Sequence, residues 1–68
     1  MKYLVVIEKS KTGYGAYAPD LPGVGVVGKT RRTVEQLIKE AIDLHLDDMK
    51  MHEKNFIEPT TEAMLVTV

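Results

Sequence analysis

Gly23-Val24-Gly25-Val26-Val27-Gly28-Lys29-Thr30 satisfies the phosphate-loop pattern G-x-x-x-x-G-K-[ST], and Gly23, Gly25 and Gly28 also satisfy G-x-G-x-x-G. In a working loop, glycine backbone N–H groups curl around phosphates, the lysine reaches the terminal phosphates and the hydroxyl binds magnesium. That arrangement needs a buried strand feeding the first glycine and a flexible arch after it. Here Gly23 is preceded by Pro19-Asp20-Leu21-Pro22, and the arch would contain Val24, Val26 and Val27, stiff β-branched residues that prefer a strand. These 68 residues also lack the later apolar strand ending in aspartate, and the several βαβ units, that a nucleotide-binding domain requires. The dinucleotide version fails on its acidic partner, because Asp43 falls within a helical pattern. The octapeptide therefore reads as a turn at Gly23, a strand over 24–27, a turn at Gly28-Lys29 and a helix cap at Thr30.

Outward from it, the helical rhythm is the clearest signal. Apolar residues recur at Val34, Leu37, Ile38, Ala41, Ile42, Leu46 and Met49, predicting one long helix from Arg31 to Met51. His52-Glu53-Lys54-Asn55 loosens it and Pro59 forbids its resumption, after which Ala63 to Val68 is expected to form a last strand. Toward the N-terminus, the two prolines of Pro19 to Gly23 redirect the chain. Tyr14 to Ala18 is a short strand, and Ser10-Lys11-Thr12-Gly13 is a hairpin turn. Tyr3 to Ile7 is apolar on both parities, which argues for a strand buried on both faces or carrying an oligomer contact on one; it is expected to be a central strand, antiparallel to the second. The predicted fold class is α+β in the order β-β-β-α-β, a three- to four-stranded mainly antiparallel sheet with one helix packed on one face.

Composition bounds what such a domain does. A chain of 68 residues is one domain that buries only about 60% of its unfolded surface, and without cysteine it has no disulfide or thiolate zinc site to help. Good packing or self-association remains, so a homo-oligomer is expected. A net charge of −1 supplies no basic field for nucleic acid. The apolar run from Leu4 to Ile7 is far short of the ~20 residues of a membrane span, and the chain reads as cytoplasmic, with no membrane partner.

Gly13-Tyr14-x-Ala16, then Pro19-Asp20-Leu21-Pro22-Gly23, a short apolar strand, Gly28-x-Thr30 and a helix carrying Ile38-Lys39-Glu40-Ala41-Ile42 resemble the HicB antitoxin family over nearly the whole chain. The Pro19 to Gly23 loop is the most specific part of the match. The resemblance implies a shortened RNase H-like fold without nuclease chemistry. It also implies a partner, a small basic HicA-like toxin that cleaves mRNA and is neutralised by occlusion. Two departures stand out. Lys29, Arg31 and Arg32 occupy positions where the family often carries acidic residues, and cations there oppose the helix dipole; they are read as an exposed basic turn or as a contact for an anion or acidic partner. The C-terminal DNA-binding domain common in the family has no counterpart up to Val68, so residues 1–68 are expected to be a single domain without direct DNA binding. The alternative function is a stand-alone structural or regulatory oligomer of the same fold.

The candidate sites follow from residue types. Glu8, Asp20, Asp43, Asp47 and Asp48 do not converge as a two-metal nuclease would require. His45, Asp48 and His52 share one side of a continuous helix but lack the H-E-x-x-H pattern, and His45 is expected at the core's edge. The sole serine, Ser10, sits in a turn without a base, and Tyr3, Tyr14, Tyr17 and Phe56 lack the basic stripe that base-stacking aromatics need. No catalytic residue, cofactor or metal is expected. Binding remains, and Glu35, Glu40, Asp43, Asp47 and Asp48 make the helix acidic, complementary to a basic toxin. Leu65, Val66 and the Val5 strand offer a surface for self-association.

Overall fold

A computed structural model describes residues 1–51 and 57–68. Three strands, β1 (Val6–Lys9), β2 (Tyr14–Tyr17) and β3 (Gly25–Gly28), precede α1 (Arg31–Met51). They form one antiparallel sheet in the order β1-β2-β3, an α+β arrangement with the helix on one face. The α1 bounds agree with the sequence expectation, whereas β2 ends and β3 begins one residue away from it.

Register explains the core. Ile7, Ala16 and Val26 stand side by side across the three strands on the face toward α1. Their neighbours Val6, Tyr17 and Gly25 point the other way, as alternation requires. Ala16, Ala18, Leu21, Val24, Val34 and Ile38 form the buried cluster, with Tyr3, Val5, Ile7, Tyr14, Val26, Ala41 and Ile42 packed around it. Small Ala16 on β2 and Ala18 just beyond it let α1 approach, and α1 lies chiefly against β2 and β3.

Two turns are built tightly. Ser10 N–H donates to the Gly13 carbonyl at 2.8 Å, closing the first hairpin. A side chain at Gly13 would collide with the Gly28 carbonyl oxygen, so glycine here lets the hairpin press against the β3–α1 turn. Gly28 itself leaves only 3.1 Å between an added Cβ and the Thr33 and Val34 side chains.

Thr30 caps the helix. Its Oγ1 accepts the Thr33 N–H at 3.1 Å and its carbonyl accepts the Val34 N–H at 3.2 Å.

Three expectations are corrected. The strand read over Tyr3 to Ile7 begins only at Val6 and lies at the sheet edge; β2 is central. Its double-sided apolar character has another cause: Tyr3, Val5 and Ile7 pack on the core, and Val6 is half-buried on the opposite face. The final strand over Ala63 to Val68 is not formed. Those residues are exposed and have no ladder partner among the described residues, and β-propensity alone does not make a strand. Leu37, counted with the core, is exposed on the helix flank. The expected loosening at His52 to Asn55 lies outside the described residues.

Candidate functional site: an acid-edged apolar seam on α1

Pro19 to Gly23, the most specific stretch of the sequence, forms two consecutive turns. Leu21 N–H donates to the Ala18 carbonyl at 3.0 Å and Val24 N–H donates to the Leu21 carbonyl at 3.1 Å. Each turn carries a proline at its second position, which presets the required φ, and Gly23 takes φ 83° at the third position of the second turn. Leu21 is turned inward and is 0% exposed, a plug between sheet and helix.

Asp20 points outward and fastens the chain beyond the helix. Its Oδ2 accepts the N–H groups of Thr60 at 3.0 Å and Thr61 at 2.9 Å. Its Oδ1 accepts their hydroxyls at 3.2 and 2.6 Å. The Thr61 hydroxyl, followed by the Thr61 N–H, holds the carboxyl below the ordinary aspartate value. Tyr3 adds a second fastening, its hydroxyl donating to the Ile57 carbonyl at 2.6 Å. The signature loop is therefore structural twice over. The sequence contained Thr60 and Thr61 but no local pattern tied them to a carboxylate 40 and 41 positions earlier.

The five acidic residues of α1 do not form one cluster. Val34, Ile38 and Met49 are buried, and they define the inward side. At 3.6 residues per turn, Glu40, Asp43 and Asp47 follow one line on the outward side, and all three are exposed. Asp48 is exposed on a different flank. Glu35 lies a turn earlier, engaged by Arg31 Nε at 2.9 Å. That i, i+4 pair gives Arg31 a local role, and Lys29 and Arg32 are exposed beside it.

Between the acidic line and Asp48 runs an apolar seam. Leu37, Leu44 and Met51 recur every seven residues and stay in solvent, Leu44 at 70% exposure. Sequence reading missed this seam by fitting a single apolar stripe, although its heptad spacing was visible. The arrangement is an apolar strip with carboxylates along its edge, suited to a partner that carries apolar side chains among cations.

Other candidate chemistries are not assembled. Of the phosphate-loop glycines, Gly23 sits in the second proline turn, and Gly25 and Gly28 belong to β3 and pair with Tyr17 and Tyr14, so their N–H groups do not form an arch. Among the described residues no group of three or more His, Asp or Glu side chains converges as a metal site would require. Glu8 is exposed on β1, and Asp20 is taken by the threonines. His45 is half-buried on α1, while His52 and Phe56 lie outside the described residues. No described helix is long and apolar enough to cross a membrane.

Fold and seam together make a small α+β domain whose helix leaves an acid-edged apolar strip in solvent. Residues 3–67 match the family model described as a HicB-like antitoxin of bacterial toxin–antitoxin systems. The chain is 36% identical over 67 residues to a UPF0150 protein of Thermoplasma acidophilum, covering 97% of each. It is 42% identical over 52 residues to one from Helicobacter pylori, covering 76% of this chain and 72% of that one. A third UPF0150 protein, from Archaeoglobus fulgidus, is 39% identical over 51 residues, or 74% of each chain. No solved structure is a significant match. The chain belongs to the HicB-like antitoxin family.

Proposed function

We propose that this chain is the neutralising module of a type II toxin–antitoxin pair, binding a small basic HicA-like toxin and occluding the surface with which that toxin cleaves mRNA. Family membership implies a toxin partner. The observation that carries the finer reading is the seam of Leu37, Leu44 and Met51 edged by Glu40, Asp43 and Asp47. Carboxylates there steer a basic partner into encounter, and the apolar strip supplies area to bury once it has docked. On this reading the domain is a shortened RNase H-like fold acting in the cytoplasm by binding alone, without catalytic residues, cofactor or direct DNA contact. Residues 1–68 act as one domain and work as a homo-oligomer.

The test is direct. The purified chain is titrated into an RNA-cleavage reaction run by the small basic protein encoded beside it. Cleavage is expected to stop near one antitoxin chain per toxin, and the Leu44→Asp variant is expected to need a large excess. Undiminished cleavage with no co-purification of the two proteins would overturn the reading in favour of a structural oligomer without a toxin.

A further inference from the structure

We propose that the segment Met64 to Val68 of one copy is the missing edge strand of a second copy, laid against β1 and exchanged reciprocally. The inference rests on the homo-oligomer reading and not on the toxin. Four observations meet. Met64 is 83% and Leu65 100% exposed, an apolar, β-favouring stretch with no cover among the described residues. Its root is nevertheless held, because Asp20 binds Thr60 and Thr61 and Tyr3 binds the Ile57 carbonyl. The segment thus leaves the body from a fastened base, which lowers the ordering cost of pairing elsewhere.

The acceptor is on the same molecule. β1 is an edge strand whose first half, Val6-Ile7, together with Leu4 and Val5 before it, carries neither charge nor proline, the devices by which natural edges repel another strand, while Glu8 and Lys9 charge only its far end. The opposite edge, β3, is bounded by Gly25 and Gly28 and follows Pro22, a poorer template. Donor and acceptor on one chain suit an isologous two-fold dimer in which each copy gives and receives a strand. Such an exchange covers Leu65 and Val66, pairs the β1 backbone, and enlarges the core of a domain too small to bury much alone.

Two measurements decide it. Light scattering after size exclusion is expected to give at least twice the 7.6 kDa chain mass, and the Leu65→Asp/Val66→Asp chain is expected to fall to one chain mass. The natural chain has no cysteine, so a tagged Glu8→Cys chain mixed with an untagged Thr67→Cys chain reports on the contact cleanly. A short bismaleimide is expected to join tagged to untagged chain, and this readout stands even where the aspartate variant fails to fold. A monomeric natural chain, or a Glu8→Cys/Thr67→Cys double variant that closes only within one chain, would overturn the exchange. Toxin neutralisation is assayed separately, so either reading fails alone.

Discussion

Replacing Leu21 with alanine tests whether the signature loop is a plug in the core or a contact for a partner. Leu21 is fully buried between the sheet and α1, and the turns on either side hold its backbone through hydrogen bonds to Ala18 and from Val24. The two proline turns restrict collapse around the space left behind, so the loss is expected toward the upper part of the Leu→Ala range, about 3 to 5 kcal/mol. A 68-residue domain has a total of only about 3 to 10 kcal/mol to lose, at roughly 0.05 to 0.15 kcal/mol per residue. Each kcal/mol moves the melting midpoint of so small a domain by about 4 to 8 °C, so a drop of at least about 12 °C is expected. Circular dichroism at 222 nm follows the melting of α1, at equal protein concentration because association itself raises the midpoint. Leu44→Ala is the control, since Leu44 is 70% exposed and its truncation should stay within about 0.5 kcal/mol. A Leu21→Ala midpoint within a few degrees of the natural chain would refute the plug and make the loop a candidate binding surface.

Further outcomes follow from the same contacts. Thr30→Ala removes the cap that accepts the Thr33 N–H and should cost about 1 kcal/mol, read as a lower denaturant midpoint with unchanged slope. Gly23→Ala forces a side chain into a backbone with φ 83° and should cost about 1 to 2 kcal/mol in the same assay. The Asp20 carboxyl is held below its usual value by Thr61 and Thr60, so the folded state binds its proton less readily than the unfolded chain. Its contribution is therefore full above the unfolded value near 3.8 and is lost as pH falls through the lowered folded value; Asp20→Asn should flatten that acid limb of the stability profile. Glu40→Gln/Asp43→Asn/Asp47→Asn removes like charges three and four residues apart, so α1 should gain a few tenths of a kcal/mol. The same variant should associate more slowly with a basic toxin, and with a weaker dependence on salt, in stopped-flow binding.

What the sequence by itself determined is what depends on near neighbours. The helix from Arg31 to Met51, its Thr30 cap, the Ser10 to Gly13 hairpin and the turn at Gly23 all arise from spacings of a few residues, and each is found where the pattern placed it. The same local chemistry was enough to dissolve the phosphate loop, because Val26 and Val27 lie in a strand whatever the glycines around them suggest. Tertiary structure decided the rest. Whether Tyr3 to Ile7 stood at the centre or the edge depended on a partner strand, and Ala63 to Val68 found none among the described residues. The acidic residues of α1 were legible as a list, but only the docked sheet settled which side of the helix faced water, and so divided Glu40, Asp43 and Asp47 from Glu35 and Asp48. Asp20 shows the limit most plainly, since its charge is visible in one loop while the two threonines that give it a role lie 40 and 41 residues away, brought there by the fold alone.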